Sequence, residues 1–260
     1  MDSVNRTLYI PLYGKAVVSR KEIIIHDPKA ENICDSCGLN LSGSAGSKWL
    51  AYFMAMRAAV YDEWVREKLH MLNNPIVIHI GCGLDSRVER VGGSYMWYDV
   101  DFPEVIEERK KFYTETEFYH MLGANAAADD WIKQLPDAEN AAVVMEGVCM
   151  YLETGDIIRL FERLKGKFPQ VALLADFYTS FGVKASKYKN PVNQVGVTTL
   201  YGIDDPHCLE SDTGLAFKTE HNMTPEKMTE QLGGAEKIFF KTMFAGKTAK
   251  KIYRMYEYGG

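Results

Sequence analysis

The sequence lacks the features of several large protein classes. No apolar run among its 260 residues approaches the ~20 residues that a membrane-spanning helix needs. The first residues, Met1-Asp2-Ser3-Val4-Asn5, contain neither the basic region nor the apolar core of a signal peptide. With 30 basic and 35 acidic residues, the net charge of −5 does not provide the basic footprint of a nucleic-acid binder. We therefore expect a protein that functions without nucleic acid and without a membrane.

The cysteines are too few and too scattered for a disulfide framework. Their number is odd, and they stand at positions 34, 37, 82, 149 and 208, which favours a reducing, cytoplasmic location. Cys34 and Cys37 have the spacing of half a zinc site, but no second such pair and no paired histidines follow. We expect reduced structural thiols here and no metal.

One short stretch combines a strand, a glycine turn and the start of a helix. The β-branched apolar run Ile76–Ile80 predicts a buried strand. Gly81 and Gly83 follow, where a ligand can approach the backbone closely. Ser86–Gly92 is then predicted as a short helix whose N-terminus faces that turn. This combination is typical of a binding site for a nucleotide-like ligand.

The next predicted strand narrows the choice of ligand. Ser94–Val100 leads to Asp101, which lies 18 positions after Gly83, where a carboxylate can bind a ribose diol. A dinucleotide motif needs a third glycine at position 86, and this chain has Ser86 there. A nucleoside without pyrophosphate, such as S-adenosylmethionine, therefore fits better than a nicotinamide dinucleotide, which stays the alternative.

The remaining periodicity predicts an α/β fold. Strands are expected over Glu117–Leu122, Ala141–Glu146 and Val171–Asp176, and helices over Pro103–Phe112, Ala127–Gln134, Thr154–Phe168 and Pro225–Leu232, with Thr154 capping its helix. Continuous apolar strands that alternate with helices indicate a parallel sheet covered on both faces. Two β-like stretches, Ala235–Phe244 and Ala249–Tyr258, predict a terminal antiparallel hairpin.

We expect a single domain over residues 1–260 with two additions to the sheet. Residues 1–72 form an N-terminal helical cover that includes an amphipathic helix over Ser47–Met71. Residues 177–222 have weak periodicity and are interpreted as a lid or insertion. Arg57 interrupts the apolar face of the amphipathic helix, and its side chain either extends to water or faces an acidic ligand group.

Polar residues follow the predicted strands where they end. Asp101, Asn125 and Glu146 would lie beside the glycine turn, at the sheet edge where ligands of open parallel sheets bind. Each also has a structural interpretation. Asp101 could cap the following helix, Asn125 could be a turn residue, and Glu146 could pair with a surface lysine.

The motifs resemble those of the leucine carboxyl methyltransferase family, which includes bacterial polyketide O-methyltransferases. The resemblance rests on Gly81-Cys-Gly83-Leu-Asp85-Ser86-Arg87-Val-Glu-Arg90, Asp99-Val-Asp101-Phe-Pro103, Glu146-Gly-Val-Cys-Met-Tyr151-Leu, the Arg57 helix and Tyr13-Gly-Lys15-Ala16. It covers roughly residues 10–180. It implies a Rossmann-like class I methyltransferase fold: a mostly parallel seven-stranded sheet with helices on both faces, a terminal antiparallel hairpin and a lid.

The resemblance also implies the cofactor S-adenosyl-L-methionine and the residues that hold most of it. Gly81 and Gly83 would lie behind its methionine part. Asp101 would accept hydrogen bonds from the ribose hydroxyls, and Glu146 would bind the methionine ammonium.

Five further roles follow from the same resemblance. Asn125 and Ala126 stand where the family usually has Asp-Leu against the adenine, and an amide oxygen can still accept from the adenine amino group. Lys15 and Arg57 would approach the methionine carboxylate or the acceptor carboxylate. Tyr151 would lie beside the transferred methyl group.

These residues favour a carboxylate as the methyl acceptor. A carboxylate is already ionised at pH 7, so its methylation needs orientation and electrostatics but no general base, and Arg57 and Tyr151 are the expected catalytic residues. A phenol would need a base; His79 lies inside a strand and His120 is similar, which leaves His207 and His221.

The expected function is therefore an S-adenosylmethionine-dependent O-methyltransferase of a small-molecule carboxylate. A protein C-terminus is the alternative acceptor. A nicotinamide-dependent oxidoreductase and a cofactor-binding protein without turnover are the alternatives of another class.

Overall fold

A computed structural model describes residues 3–128, 130–189, 199–210 and 213–260. Seven strands form one sheet in the order β3-β2-β1-β4-β5-β7-β6. The strands are β1 Ile76–Ile80, β2 Trp97–Asp101, β3 Tyr119–Gly123, β4 Asn140–Met145, β5 Gln170–Tyr178, β6 Ala216–His221 and β7 Tyr253–Gly259. β1 to β5 pair in parallel, whereas β7 runs antiparallel to both β5 and β6. The predicted fold class, a mostly parallel seven-stranded sheet with an antiparallel hairpin, is confirmed.

Helices cover both faces of this sheet. They are α1 Ser3–Ser19, α2 Pro28–Ser36, α3 Lys48–Met71, α4 Arg87–Val91, α5 Pro103–Arg109, α6 Thr154–Lys167, α7 Ser180–Lys189, α8 Glu226–Thr229, α9 Gly234–Met243 and α10 Gly246–Lys250. β1 is buried throughout, and its alternate residues belong to two apolar cores: Val77 packs with α1–α3, and Ile78 packs with α6. Burial on both faces explains why its sequence is continuously apolar. No helix in the described ranges is both long and apolar enough to span a membrane.

The central strands agree closely with the sequence prediction. β1 has the predicted bounds, β2 begins at Trp97 rather than Ser94, and Glu146 directly follows β4. The helix expected over Ala127–Gln134 is wrong: only Trp131–Gln134 is helical, as a 3₁₀ turn, and Asp129 lies outside the described residues. The Asn125 side chain accepts a hydrogen bond from the backbone of Ala127 and so stabilises a turn instead.

Two smaller boundaries also differ. The N-cap of α6 is Glu153 and not Thr154, and the helix expected over Pro225–Leu232 is limited to α8. Residues 1–46 of the expected helical cover, for which no individual helix was predicted, contain α1 and α2. Both pack within the helical layer above the sheet, so burial around α1 removes the polar face that periodicity detects.

The predicted first strand of the terminal hairpin is wrong. Ala235–Phe244 forms α9, and the strand that pairs with β7 is β6, from the segment interpreted as a lid. The apolar run Ile238-Phe239-Phe240 resembled a strand, but only Phe240 is fully buried, while Ile238 and Phe239 are 69% and 45% exposed. Residues 190–198 and 211–212 of the expected lid lie outside the described residues.

Candidate active site

A cavity of about 1030 Å³ opens where β1, β2 and β4 end. Each of the site residues predicted from the sequence lines it: Lys15, Arg57, Gly81, Gly83, Asp101, Asn125, Ala126, Glu146 and Tyr151. Residues from α1, from α3 and from the ends of four strands therefore meet at one place. Their assembly there is an observation; the role of each toward a ligand stays a prediction.

The turn after β1 requires glycine at its first position. Gly81 and Gly83 have φ values of 69° and 50°, in the left-handed region. A Cβ atom on Gly81 would lie 2.1 Å from Cγ2 of Val148, so a side chain cannot be placed there without displacing its neighbour. The Gly81 N–H donates to the Val100 carbonyl at 2.7 Å, which ties the turn to β2.

Asp101 lines the cavity and stabilises the backbone around it, but it does not cap α5, whose N-cap is Phe102. Its Oδ2 accepts from the Gly83 N–H and its Oδ1 from the Phe102 N–H, both at 2.8 Å, so it stabilises the glycine turn and the start of α5. Burial raises the pKa of Asp101, and the two backbone N–H groups offset this only in part. Each carboxylate oxygen can accept a second hydrogen bond, so both remain available to ligand hydroxyls in the cavity.

Asn125 is observed as a turn residue at the cavity edge. Its side chain is exposed, and its Oδ1 accepts from the Ala127 N–H at 3.0 Å. That amide oxygen keeps one lone pair for an adenine amino group.

A chain of alternating charges lines the inner wall of the cavity. Lys15 pairs with Asp85, Arg87 pairs with Glu146, and Arg57 Nε donates to Glu146 Oε1 at 3.0 Å. Arg57 is only 7% exposed, so it does not extend to water, and Glu146 pairs with two buried arginines rather than a surface lysine. Burial alone would raise the pKa of Glu146, but Arg57 and Arg87 lower it to about 2. Glu146 is therefore ionised at neutral pH.

Sequence reasoning missed the ion pairs beneath this wall. Arg90 donates from Nε to Asp62 at 2.7 Å and from Nη1 to Asp27 and to Ser86 Oγ, both at 2.8 Å. Arg87 donates to Asp62 at 2.9 Å. The charged motif Asp85-Ser86-Arg87 with Arg90 was visible in the sequence. Its partners are Asp27, the N-cap of α2, and Asp62 of α3, and spacing does not predict those contacts.

A second missed group supports the glycine turn from below. Arg109 Nη1 donates to the Gly83 carbonyl at 3.0 Å, and its other two nitrogens contact Tyr119 and Asp99. Burial would raise the pKa of Asp99, but Arg109 and the adjacent His79 lower it to about 2. Asp99 precedes Asp101 by two residues in the sequence motif, and the motif does not show that Asp99 pairs with Arg109.

The lining residues that follow Glu146 in the chain have a different chemistry; together with Arg57 we call them the acceptor side. Apart from Arg57, its described residues are apolar or carry hydroxyl groups, the latter being Tyr151, Tyr178, Thr199, Tyr201 and Tyr253. No histidine, lysine or carboxylate lines this side within the described ranges. Tyr151 is 40% exposed, and the desolvation of its hydroxyl against the cavity wall raises its pKa to about 12. The hydroxyl is therefore protonated at neutral pH and can donate a hydrogen bond.

Each histidine considered as a base for a phenol either lies outside the cavity or is held by charged neighbours. His207 is exposed and pairs with Glu210 at 2.9 Å, and His221 contacts Glu257 at 2.6 Å; neither lines the cavity. His79 does line it, but its Nε2 accepts from Arg87 at 3.0 Å and its Nδ1 lies 3.2 Å from Asp99. The five cysteines, Cys34 and Cys37 among them, are unpaired thiols.

Residues 11–165 match the family model described as leucine carboxyl methyltransferase. The chain is also 31% identical over 227 residues to the tetracenomycin polyketide synthesis O-methyltransferase TcmP of Streptomyces glaucescens, covering 86% of this chain and 84% of TcmP. The chain belongs to the leucine carboxyl methyltransferase family. A second relative, 25% identical over 243 residues, is the S-adenosyl-L-methionine-dependent methyltransferase dpfgK of Gibberella zeae, with 84% of this chain and 82% of that protein covered.

Solved structures show the same fold at low sequence identity. A Thermobifida fusca YX protein assigned as a methyltransferase aligns with a TM-score of 0.59 and 12% identity, covering 89% of this chain and 86% of that one. The Synechocystis PCC 6803 magnesium protoporphyrin IX methyltransferase with bound S-adenosylmethionine aligns at 0.52 and 11%, covering 95% and 96%. The protein is thus an S-adenosylmethionine-dependent methyltransferase of the O-methyltransferase group, rather than a nicotinamide enzyme.

The residues that line the cavity fit this cofactor independently of the sequence similarity. S-Adenosylmethionine carries a carboxylate, an ammonium and a ribose diol, and the wall offers a cation, anions and a buried carboxylate with unused lone pairs. Arg57 Nε bonds to Glu146 and Nη1 to Tyr253, whereas Nη2 has no acceptor among the described residues. A guanidinium with two free N–H donors beside ionised Glu146 suits an amino-acid head group.

Proposed function

We propose that this enzyme transfers the methyl group of S-adenosylmethionine to a carboxylate of a small molecule. The observation that carries the proposal is the composition of the acceptor side. Its described residues provide Arg57, hydroxyl groups and apolar surface but no general base. A carboxylate is the oxygen acceptor that needs no proton removed at neutral pH.

The cofactor supplies an electrophilic methyl group, and its leaving group is neutral. The enzyme's own residues then have to orient the acceptor and exclude water, which are the effects that accelerate a displacement between two bound groups. Arg57 Nη2 is proposed to hold one oxygen of the acceptor carboxylate, which leaves the other oxygen to attack. Tyr151 is proposed to donate a hydrogen bond beside the reacting oxygen, since its raised pKa prevents it from acting as a base.

The remaining cavity residues are proposed to hold the cofactor. Gly81 and Gly83 would lie behind its methionine part, with Glu146 on the ammonium and Lys15 with Arg57 near the carboxylate. Lys15 is buried and already paired with Asp85, so its charge is fixed close to the glycine turn.

We propose the same arrangement for the adenosine part as the sequence suggested. Asp101 would bind the ribose, and Asn125 with Ala126 would lie against the adenine. The support is that all three line the cavity together, and that Asp101 and Asn125 keep unused acceptor capacity.

Labelled methyl transfer to matched acceptors tests the proposal. Benzoic and naphthoic acids are each compared with the corresponding phenol and naphthol, using S-adenosylmethionine that carries a labelled methyl group. Label is expected in the acids and not in the phenols across pH 6 to 9, because no base has to be deprotonated. Transfer to the phenols alone would contradict the proposal, and label in precipitated protein would identify a protein C-terminus as the acceptor.

A further inference from the structure

Arg57 is held by two side chains that have been given no role so far. Its Nη1 donates to the Tyr253 hydroxyl at 3.2 Å and lies 3.5 Å from Asp176 Oδ2. The Tyr253 hydroxyl in turn donates to Asp176 Oδ1 at 2.6 Å. Asp176 and Tyr253 are 0% and 4% exposed. They belong to β5 and β7, so these contacts fix a side chain of α3 against the sheet.

The same contacts determine which edge of the guanidinium is free. Glu146 accepts from Nε at 3.0 Å, and Tyr253 accepts from Nη1. Asp176 Oδ1 also accepts from the Gly147 N–H at 2.8 Å, which ties the pair to the turn that carries Glu146. With two of the three nitrogens held, the plane of the group is set, and Nη2 is the nitrogen left for a ligand.

The carboxylate of Asp176 lowers the stability of the fold at this position. Its Oδ2 is buried without a hydrogen-bond partner, and a buried polar atom of this kind lowers stability. Burial raises the pKa of Asp176, and Arg57 offsets this only in part. An apolar residue would satisfy packing at the end of β5, so the carboxylate is better explained by its action on Arg57 and Tyr253.

We propose that Tyr253 and Asp176 are positioning residues that fix the Arg57 guanidinium so that Nη2 meets a ligand carboxylate. Nη2 carries two N–H donors, which suffice for the methionine carboxylate of the cofactor and for the acceptor carboxylate. The contact with the acceptor carboxylate rests on the function proposed above, whereas the contact with the methionine carboxylate rests only on the identity of the cofactor.

Calorimetric titration of the full-length chain separates positioning from a structural role. The probes are S-adenosylhomocysteine, which retains the methionine carboxylate, and benzoate added to protein saturated with S-adenosylhomocysteine. Tyr253→Phe is expected to weaken the binding of one or both probes by about tenfold, because it removes the hydroxyl that accepts a hydrogen bond from Nη1. In the Arg57→Lys background the same change is expected to cause no further loss, since residues acting through one group are not additive. Asp176→Ala is expected to reproduce the Tyr253→Phe loss, and Asp176→Asn, which keeps an oxygen for both hydrogen bonds, to recover most of it.

Tyr258→Phe is the matched control. Tyr258 is a fully buried tyrosine of the same strand whose hydroxyl donates to the Pro206 carbonyl at 3.0 Å, outside the cavity. Its removal is expected to lower the melting temperature as much as Tyr253→Phe but to leave both affinities within twofold. The proposal is overturned if Tyr253→Phe also leaves both affinities within twofold of the parent protein. It is likewise overturned if the double variant loses the product of the affinity losses of Tyr253→Phe and Arg57→Lys. Failure of the parent protein to bind benzoate would contradict the carboxylate acceptor, while the S-adenosylhomocysteine titration would still decide the role of the pair.

Discussion

At the scale of single residues, the charged side chains around the glycine turn are already paired with one another. Glu146, Lys15 and Arg57 were predicted as ligand contacts, and each also has a protein partner in the structure. Spacing could identify Glu146, which follows a strand, and Arg57, which interrupts an apolar helix face, whereas Lys15 was implied only by the family resemblance. Tyr253 and Asp176 were missed as site residues because they contact Arg57 through pairing between strands far apart in sequence.

Asp101 gives a pH prediction at this scale. Its pKa is raised by burial, and only the ionised carboxylate can accept two ribose hydroxyls while bonded to Gly83 and Phe102. The affinity for S-adenosylhomocysteine should therefore fall with decreasing pH, beginning above the ordinary aspartate pKa of about 4. Calorimetry between pH 4.5 and 8 measures this. Asp101→Asn should bind more weakly throughout and lose the pH dependence; an unchanged profile in that variant would exclude Asp101 as its cause.

At the scale of elements, the glycine turn offers a matched pair of substitutions. Gly81→Ala combines a left-handed φ with a Cβ 2.1 Å from Val148, whereas at Gly83 the nearest atom is Leu8 Cδ2 at 3.5 Å. A left-handed alanine costs about 1 kcal/mol, and overpacking adds about 2 kcal/mol. Urea unfolding should therefore show a loss of about 3 kcal/mol for Gly81→Ala and about 1 kcal/mol for Gly83→Ala. Equal losses would show that Val148 moves aside freely.

Helices and strands were predicted correctly where the periodicity of the sequence agrees with the burial of its residues. β1 is apolar because both of its faces are buried, and its bounds were predicted correctly. α9 was predicted as a strand because Ile238, Phe239 and Phe240 are consecutive and apolar, although two of them are exposed. A sequence does not show which apolar residues stay at the surface, and this is what separates a helix from a buried strand here.

A sequence also does not show which segment lines the acceptor side. Residues 177–222 were interpreted as a lid or insertion. Among the described residues, 177–222 contribute Tyr178, Thr199 and Tyr201, whereas Met243, Phe244, Ala249, Ile252 and Tyr253 come from the segment around α10. That segment precedes β7, the strand that inserts between β5 and β6, so the chain returns over the cavity before it enters the sheet.

At the scale of the whole molecule, buried ion pairs make stability depend on pH. The pKa of fully buried Asp99 is lowered to about 2, since Arg109 and His79 outweigh the cost of burial. A carboxyl whose pKa is lowered on folding stabilises the fold at pH values above its unfolded-state pKa of about 4. This contribution is lost as the pH falls toward 2. For Asp99 it amounts to about 2 kcal/mol.

Urea unfolding at a series of pH values tests this. The free energy of unfolding should be nearly constant from pH 7 to 5 and fall steeply below pH 4. Asp99→Asn should be less stable at pH 7, because Arg109 loses its partner, and its curve should be flatter below pH 4. The exposed Asp137, paired with Lys167, is the control, and Asp137→Asn should follow the parent curve. Parallel curves for Asp99→Asn and the parent would contradict the assignment.

The most direct test of the proposed chemistry is the alkali stability of the labelled product. A methyl ester releases its label as methanol in mild base, whereas a methyl ether does not. After incubation of the enzyme with labelled S-adenosylmethionine and the carboxylic acids above, we expect the label in the organic extract to become volatile on alkaline treatment. Label that stays bound to the acceptor in base would show that the enzyme methylates a hydroxyl group and would contradict a carboxylate acceptor.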